Sequence, residues 1–322
     1  MSSKLMFSSN RDQNGRSIVE LMVAMTIGMV ILIAISSLFY ANKKSFRAND
    51  DKSRLDEEGR LALNLMSYHV RMAGYGTLLS SNEKADDDSN SVVKVLPATY
   101  TSFSDSKGAS VDAIRGCVGG FTNSSVTLGS IACSGTATSP DAFLVRYVVD
   151  ANTTNTTAAG VPTDCLGAAI LPTAIPKSAP RKTGGAPSEY IVENRFYIQT
   201  VNGVPELYCR GNGGVAPGTA LNAGQPIAEN VEDMKLTYGV SGNNGQSIDR
   251  YLTAAQLAAN EWQRVVSVRI CIVVRSATDN VATATQSYVG CDGTTVVTPT
   301  DKRLRSVFST VVTIRSRATG AT

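Results

Sequence analysis

The chain has one histidine, one tryptophan and only 6% aromatic residues among its 322. With His69 as the lone imidazole, a Ser–His–Asp site would have to be built on that residue, and a zinc centre would lack the close-set nitrogen and sulfur ligands it needs. No G-x-S-x-G, Walker or H-E-x-x-H pattern occurs, so no catalytic residue, metal ligand or cofactor site is expected and the chain does not read as an enzyme. The shortage of aromatics weakens a base-stacking reading. A net charge of +3 is too small and dispersed to argue for nucleic acid. Charged residues make up 18% and apolar residues 43%, which excludes a chain disordered throughout. Proline is missing until Pro97, so nothing before it forbids a long helix.

The six cysteines are Cys117, Cys133, Cys165, Cys209, Cys271 and Cys291, with no C-x-x-C pair among them. All follow the one long hydrophobic run. An even count on one side of a membrane span suggests disulfides in an oxidising compartment, against the alternative of buried reduced thiols. Joining sequence neighbours gives Cys117–Cys133, Cys165–Cys209 and Cys271–Cys291; six cysteines allow about 15 connectivities, which the sequence leaves open.

That hydrophobic run, Ile18 to Tyr40, is interrupted only by Glu20, Thr26, Ser36 and Ser37. It is long enough to cross a bilayer as a helix, which takes about 20 residues. Lys4, Arg11 and Arg16 precede it and Lys43, Lys44 and Arg47 follow, so flanking charge does not orient it. The cysteines do, placing the residues after Tyr40 outside the cytoplasm. Glu20, a carboxylate just inside an apolar span, is costly and asks for a function.

Its context is Gly15-Arg16-Ser17-Ile18-Val19-Glu20-Leu21. This resembles the type IV prepilin signature, a short charged leader ending in Gly and then a hydrophobic helix with Glu at its fifth position. The resemblance implies cleavage by a prepilin peptidase between Gly15 and Arg16, methylation of the new N-terminus at Arg16, and Glu20 as a subunit-assembly residue. Arg16 stands where the family usually has Phe. The leader lacks the apolar segment of an ordinary secretory signal. Glu20 would pair with the α-amino group of its own chain or of a neighbour, because a buried ammonium is costly unless paired.

From Arg16 to about Met72 only Gly28 and Gly59 interrupt good helix formers. The first half is apolar all round. In the second half Leu61, Leu65, Tyr68 and Met72 recur at helical spacing, with Ala62, Met66 and His69 alongside. That stripe is expected to pack on a sheet, which makes His69 a core or edge histidine. Asn49 to Arg60 is charge-dense, a solvated face or a source of inter-subunit salt bridges.

Beyond Gly76 the pattern turns to strand and loop. The acidic loop at Ser80–Ser91, with Asp86, Asp87 and Asp88, lacks the ligand spacing of a calcium-binding loop. Phe143–Val149 reads as a buried strand, and Tyr190–Val201, Asn202-Gly203 and Val204–Cys209 as a hairpin with a type I′ turn. Met234–Val240, Val265–Val274 and Val307–Ile314 alternate or are rich in β-branched residues. Stretches 152–160 and 211–224 are loops.

The expected architecture is α+β, a very long helix whose C-terminal half lies on an antiparallel sheet, similar to the pilin fold. Its divisions are a leader at 1–15, a helix at 16–76 (transmembrane or filament core at 16–40) and a β-rich head at 77–322. Leu55-Asp56-Glu57-Glu58-Gly59-Arg60-Leu61, Arg71-Met72-Ala73-Gly74-Tyr75-Gly76 and the later order Tyr238-Gly239, Asp249-Arg250-Tyr251, Trp262 and Val268-Arg269-Ile270 resemble the PilW-type minor pilins. The resemblance implies a low-abundance subunit that primes assembly of a type IV pilus in a tip complex, serving adhesion, twitching or DNA uptake. Its partners would be other minor pilins, the major pilin, a tip adhesin and prepilin peptidase. It would reside in the inner membrane, head in the periplasm, and then in the extracellular fibre. Two alternatives stay open: a J-like pseudopilin of type II secretion, and a pilin that itself binds DNA or a surface. For direct nucleic-acid binding the basic residues of the head cluster only weakly, at Arg181-Lys182 and at Lys302-Arg303-Arg305 with the later Arg315 and Arg317.

Glu20→Ala is expected to lower incorporation into filaments while leaving membrane insertion intact. Immunoblotting sheared filaments and membranes side by side checks this, and wild-type incorporation would remove the pairing role.

Overall fold

The computed structural model describes residues 17–75, 102–104, 110–127, 131–174, 188–216, 218–242 and 247–318. Two compact units divide at Asp50 and Asp51. Helix α1 runs Ile18–Met72.

In the first unit the large apolar side chains from Ile18 to Tyr40 are exposed, and the helix is long and apolar enough to cross a membrane. Two of its hydroxyls are satisfied locally: Thr26 and Ser37 donate to the carbonyls of Val23 and Ala34, each 2.8 Å away. A polar side chain that bonds its own helix backbone leaves no bare donor to the surroundings.

The second unit holds the rest of α1 and the strands β1 (Ser102–Ser104), β2 (Ser110–Asp112), β3 (Ile114–Cys117), β4 (Ala142–Val149), β5 (Thr173–Ala174), β6 (Ser188–Val201), β7 (Val204–Gly211), β8 (Gln225–Glu229), β9 (Val231–Val240), β10 (Arg250–Leu252), β11 (Val265–Arg275), β12 (Tyr288–Val289), β13 (Val296–Val297) and β14 (Arg305–Thr313), then a short helix α2 (Arg315–Ala318). The larger sheet runs β3-β4-β6-β7-β8 with β5 on β6, and the second runs β10-β9-β11-β14. Every pairing in them is antiparallel. The single sheet expected from the alternating patterns is thus two. The chain changes sheet at Asn230, whose φ of 59° lies in the left-handed region between β8 and β9; asparagine tolerates that conformation better than most residues. Asp141 ties the sheets together, its Oδ2 accepting Leu236 N–H at 2.9 Å and its own N–H bonding the Met234 carbonyl at 2.7 Å. The β6–β7 turn is Asn202-Gly203 with both φ positive, 51° and 79°, as a type I′ turn needs.

Disulfides join Cys117–Cys133, Cys165–Cys209 and Cys271–Cys291, with Cα separations of 5.0, 6.5 and 5.6 Å. Cys165–Cys209 fastens the loop after β4 to β7. Cys271–Cys291 holds the long β11–β14 connection onto β11. Such bridges stabilise by restricting the unfolded chain, about 2–4 kcal/mol each.

The head contacts α1 through Asp51, Leu55, Gly59, Ala62, Met66, Ser67, His69 and Val70, all buried. Of the expected stripe, Ala62, Met66 and His69 are thus buried on the head and Met72 packs partly against its core, while the outer members are not covered. Leu61 and Tyr68 are 45% and 42% exposed, and Leu65 and Met72 are only half-buried. The reason is backbone approach. A Cβ on Gly59 would lie 2.4 Å from the Phe308 ring, so the helix lies closer to β14 there than a larger residue allows. Both faces are apolar, and periodicity cannot tell which of them small residues let close. The helix also ends at Met72 rather than Gly76: Gly74 N–H bonds the Arg146 carbonyl and Tyr75 accepts from Val148 N–H, so the chain leaves the helix to flank β4.

Polar contacts deepen the attachment. Asn194 Oδ1 accepts Cys165 N–H, which fixes its amide, so its Nδ2 donates to His69 Nδ1 at 3.1 Å. Nδ1 is therefore the acceptor and the ring proton lies on Nε2; the Tyr147 hydroxyl, 2.7 Å away, is the closer donor to its single lone pair, and the same Asn194 Nδ2 also donates to the Tyr147 oxygen at 3.4 Å. Beside them Glu193, wholly buried, bonds Arg146 Nε at 2.6 Å and Arg195 Nε, while Arg195 also donates to the carbonyls of Ser124 and Val126. Removing one partner of such a buried set typically costs about 3–5 kcal/mol.

Burial lowers the His69 pKa to about 4. Between pH 6.5 and 4 the unfolded chain binds a proton that the folded head refuses, so stability falls as pH falls through that window, by about 3 kcal/mol in all. Urea unfolding of the detergent-solubilised chain, followed by the buried Trp262, is expected to show this loss. His69→Gln is expected to flatten that part of the profile.

Candidate assembly surface

The N-terminus of α1 is built by Ser17. Its carbonyl accepts Leu21 N–H at 3.2 Å and its Oγ faces Val19 N–H at 3.4 Å, the geometry of an N-cap. Glu20 then falls in the first helical turn and is exposed, where a carboxylate is favoured by the helix dipole. The Ser17-x-x-Glu20 spacing matches a capping-box pattern, a signal for the helix start that the fifth-position reading did not use. Gly15 and Arg16 lie outside the described residues, as do the 80–91 acidic loop and Arg181-Lys182.

On the head, α1 presents a second apolar line beside its buried face: Leu61, Leu65, Tyr68 and Met72, with Tyr75 39% exposed just beyond the helix. The exposed Arg54, Glu57, Arg60, Asn64 and Arg71 border it. The Tyr68 hydroxyl donates to the Thr153 carbonyl, which anchors the outer end of the ring while its body stays exposed. A line of apolar side chains rimmed by charge is the usual form of a protein contact surface. Full burial of each such side chain is worth about 1.5–3 kcal/mol.

Other residues singled out in the sequence are used inside the head. His69 is 7% exposed and Tyr147 1%, and burial also raises the tyrosine pKa above its ordinary value; neither reaches a surface where a substrate could meet it. The Lys302-Arg303-Arg305 cluster is not a free basic patch. Arg305 pairs with Glu232 and Asp301, at 2.6 Å to each, and Arg303 donates to the carbonyls of Ser276 and Ala277. Arg305 holds the Asp301 carboxyl down to about 2. Arg315 is exposed. Among the described residues, no three His, Cys, Asp or Glu side chains converge as a metal ion would require. The six cysteines are all in the disulfides described.

Residues 195–316, from the middle of β6 to the start of α2, match the family described as "Type IV Pilus-assembly protein W". No curated protein matches the chain. Among solved structures, a type IV-like pilin from Thermus thermophilus is similar at 10% identity and a TM-score of 0.35, over 82% of this chain and 97% of that one; so loose a likeness carries no argument. The long apolar helix and the antiparallel head, with the match of residues 195–316 of that head to the type IV pilus-assembly protein W family, support a pilin of the PilW type.

Proposed function

We propose that the chain is a minor pilin, held in the inner membrane by residues 16–40 with its head in the periplasm. It then passes into a type IV filament, where it helps prime assembly in a tip complex. Prepilin peptidase would cut between Gly15 and Arg16, the new amine of Arg16 would be methylated, and Glu20 would neutralise that amine or a neighbour's. Other minor pilins, the major pilin and a tip adhesin are its partners, and adhesion, twitching or DNA uptake is the behaviour served.

The observation that carries this reading is the partly exposed apolar line Leu61–Leu65–Tyr68–Met72 along the flank of α1 beside its buried face. A subunit whose helix is packed by neighbours would remove that line from water. The disulfides support a periplasmic and then extracellular head. The family match favours the pilus over the type II secretion alternative.

Leu61→Gln with Leu65→Gln keeps good helix formers and leaves the buried face untouched. The double variant is expected to unfold near the wild-type urea midpoint, yet to fall about tenfold in sheared filaments, given the apolar burial lost. Wild-type abundance in filaments would contradict the reading.

A further inference from the structure

Directly after the apolar span, α1 carries Lys43, Lys44 and Arg47, with Phe39, Tyr40 and Phe46 interleaved. The three aromatic side chains are 70%, 74% and 75% exposed. The three basic residues are exposed too. At about 100° per residue, all six fall within roughly 160° of the helix circumference, Lys43 and Arg47 one turn apart. No acidic residue occurs between Glu20 and Asp50, so the three cations beyond the span have no carboxylate nearer than Glu20 on the span side of them. Among the described residues no ion pair engages Lys43, Lys44 or Arg47.

Topology does not explain these charges. Basic residues normally collect on the cytoplasmic side of a span, whereas the disulfide-bearing head puts these on the opposite side. Removal of the leader would take Lys4 and Arg11 away and leave Arg16 as the one basic side chain before the span. The charge bias would then oppose the orientation. Cations retained against that bias require a partner of opposite sign, at the depth where the apolar span ends. Lipid phosphates lie at that depth, and aromatic rings prefer the same headgroup layer.

We propose that Phe39, Tyr40, Lys43, Lys44, Phe46 and Arg47 form an interfacial collar that binds the phosphate groups of anionic lipids in the leaflet on the head side. The inference rests on the membrane-inserted reading above. The rings set the depth of the span and the cations recruit anionic headgroups. The collar thereby offsets the unfavourable charge bias and holds the subunit at one height until it enters a filament. Basic residues next to a membrane each strengthen attraction to anionic lipid severalfold.

The test uses the full chain in detergent with equal amounts of phosphatidylglycerol and phosphatidylcholine, and native mass spectrometry to compare bound lipids. Wild type is expected to retain phosphatidylglycerol about tenfold over phosphatidylcholine. The triple variant Lys43→Gln, Lys44→Gln, Arg47→Gln is expected to retain both equally, with unchanged helix content by circular dichroism. A wild type without preference, or a triple variant that keeps it, overturns the collar. If the variant keeps the lipid preference but disappears from sheared filaments, the cations serve an acidic surface of another subunit and the proposal is likewise overturned. Failure of the underlying membrane reading has a different signature: a wild-type chain that stays soluble without detergent and retains no lipid of either kind.

Discussion

Everything in the head is arranged around how closely α1 lies on the sheets. Gly59 and Ala62 on the helix face that meets the head allow the backbone to approach, and at Gly59 any side chain would run into the Phe308 ring. Close approach lets the buried line from Leu55 to Val70 join one core with both sheets. It also decides what is left outside. The larger residues of the second apolar line lie at the flank of that contact and stay partly exposed.

Buried polarity works with that packing. A helix attached only by apolar contacts could slide by a turn, since its apolar positions repeat. His69, bonded to Tyr147 and Asn194 of the head, is satisfied in one register. A shift would strand a buried imidazole. The disulfides act on other parts of the head, fastening the loops that the long antiparallel strands leave between them.

The α+β plan was legible because its signals are strong: a long run with no proline, an Asn-Gly between two β-rich stretches, and the alternation of Val265–Val274. The division into two sheets was not, since it depends on the left-handed turn at Asn230, a conformation sequence alone does not announce. The helix face was legible only in part. Ala62, Met66 and His69 of the expected stripe are buried, but Leu61 and Tyr68 are more hydrophobic than Gly59 and Ala73, so hydrophobicity centres the stripe too far to one side where close backbone approach decides the packing. Arg303 and Arg305 read as a basic cluster because their partners, Glu232 and Asp301 among them, are brought to them only by the fold. At the N-terminus the motif residues were plain in the sequence, and the structure adds the cap that Ser17 makes around the turn containing Glu20.

The account makes this chain a processed and scarce component of an extracellular filament, with one helix face given to its own head and the flank beside it to its neighbours. Intact-mass analysis of sheared surface filaments tests that most directly. The account predicts a trace species that begins at Arg16 and carries one added methyl, beside a more abundant and smaller subunit. An uncut chain confined to the membrane fraction would contradict it.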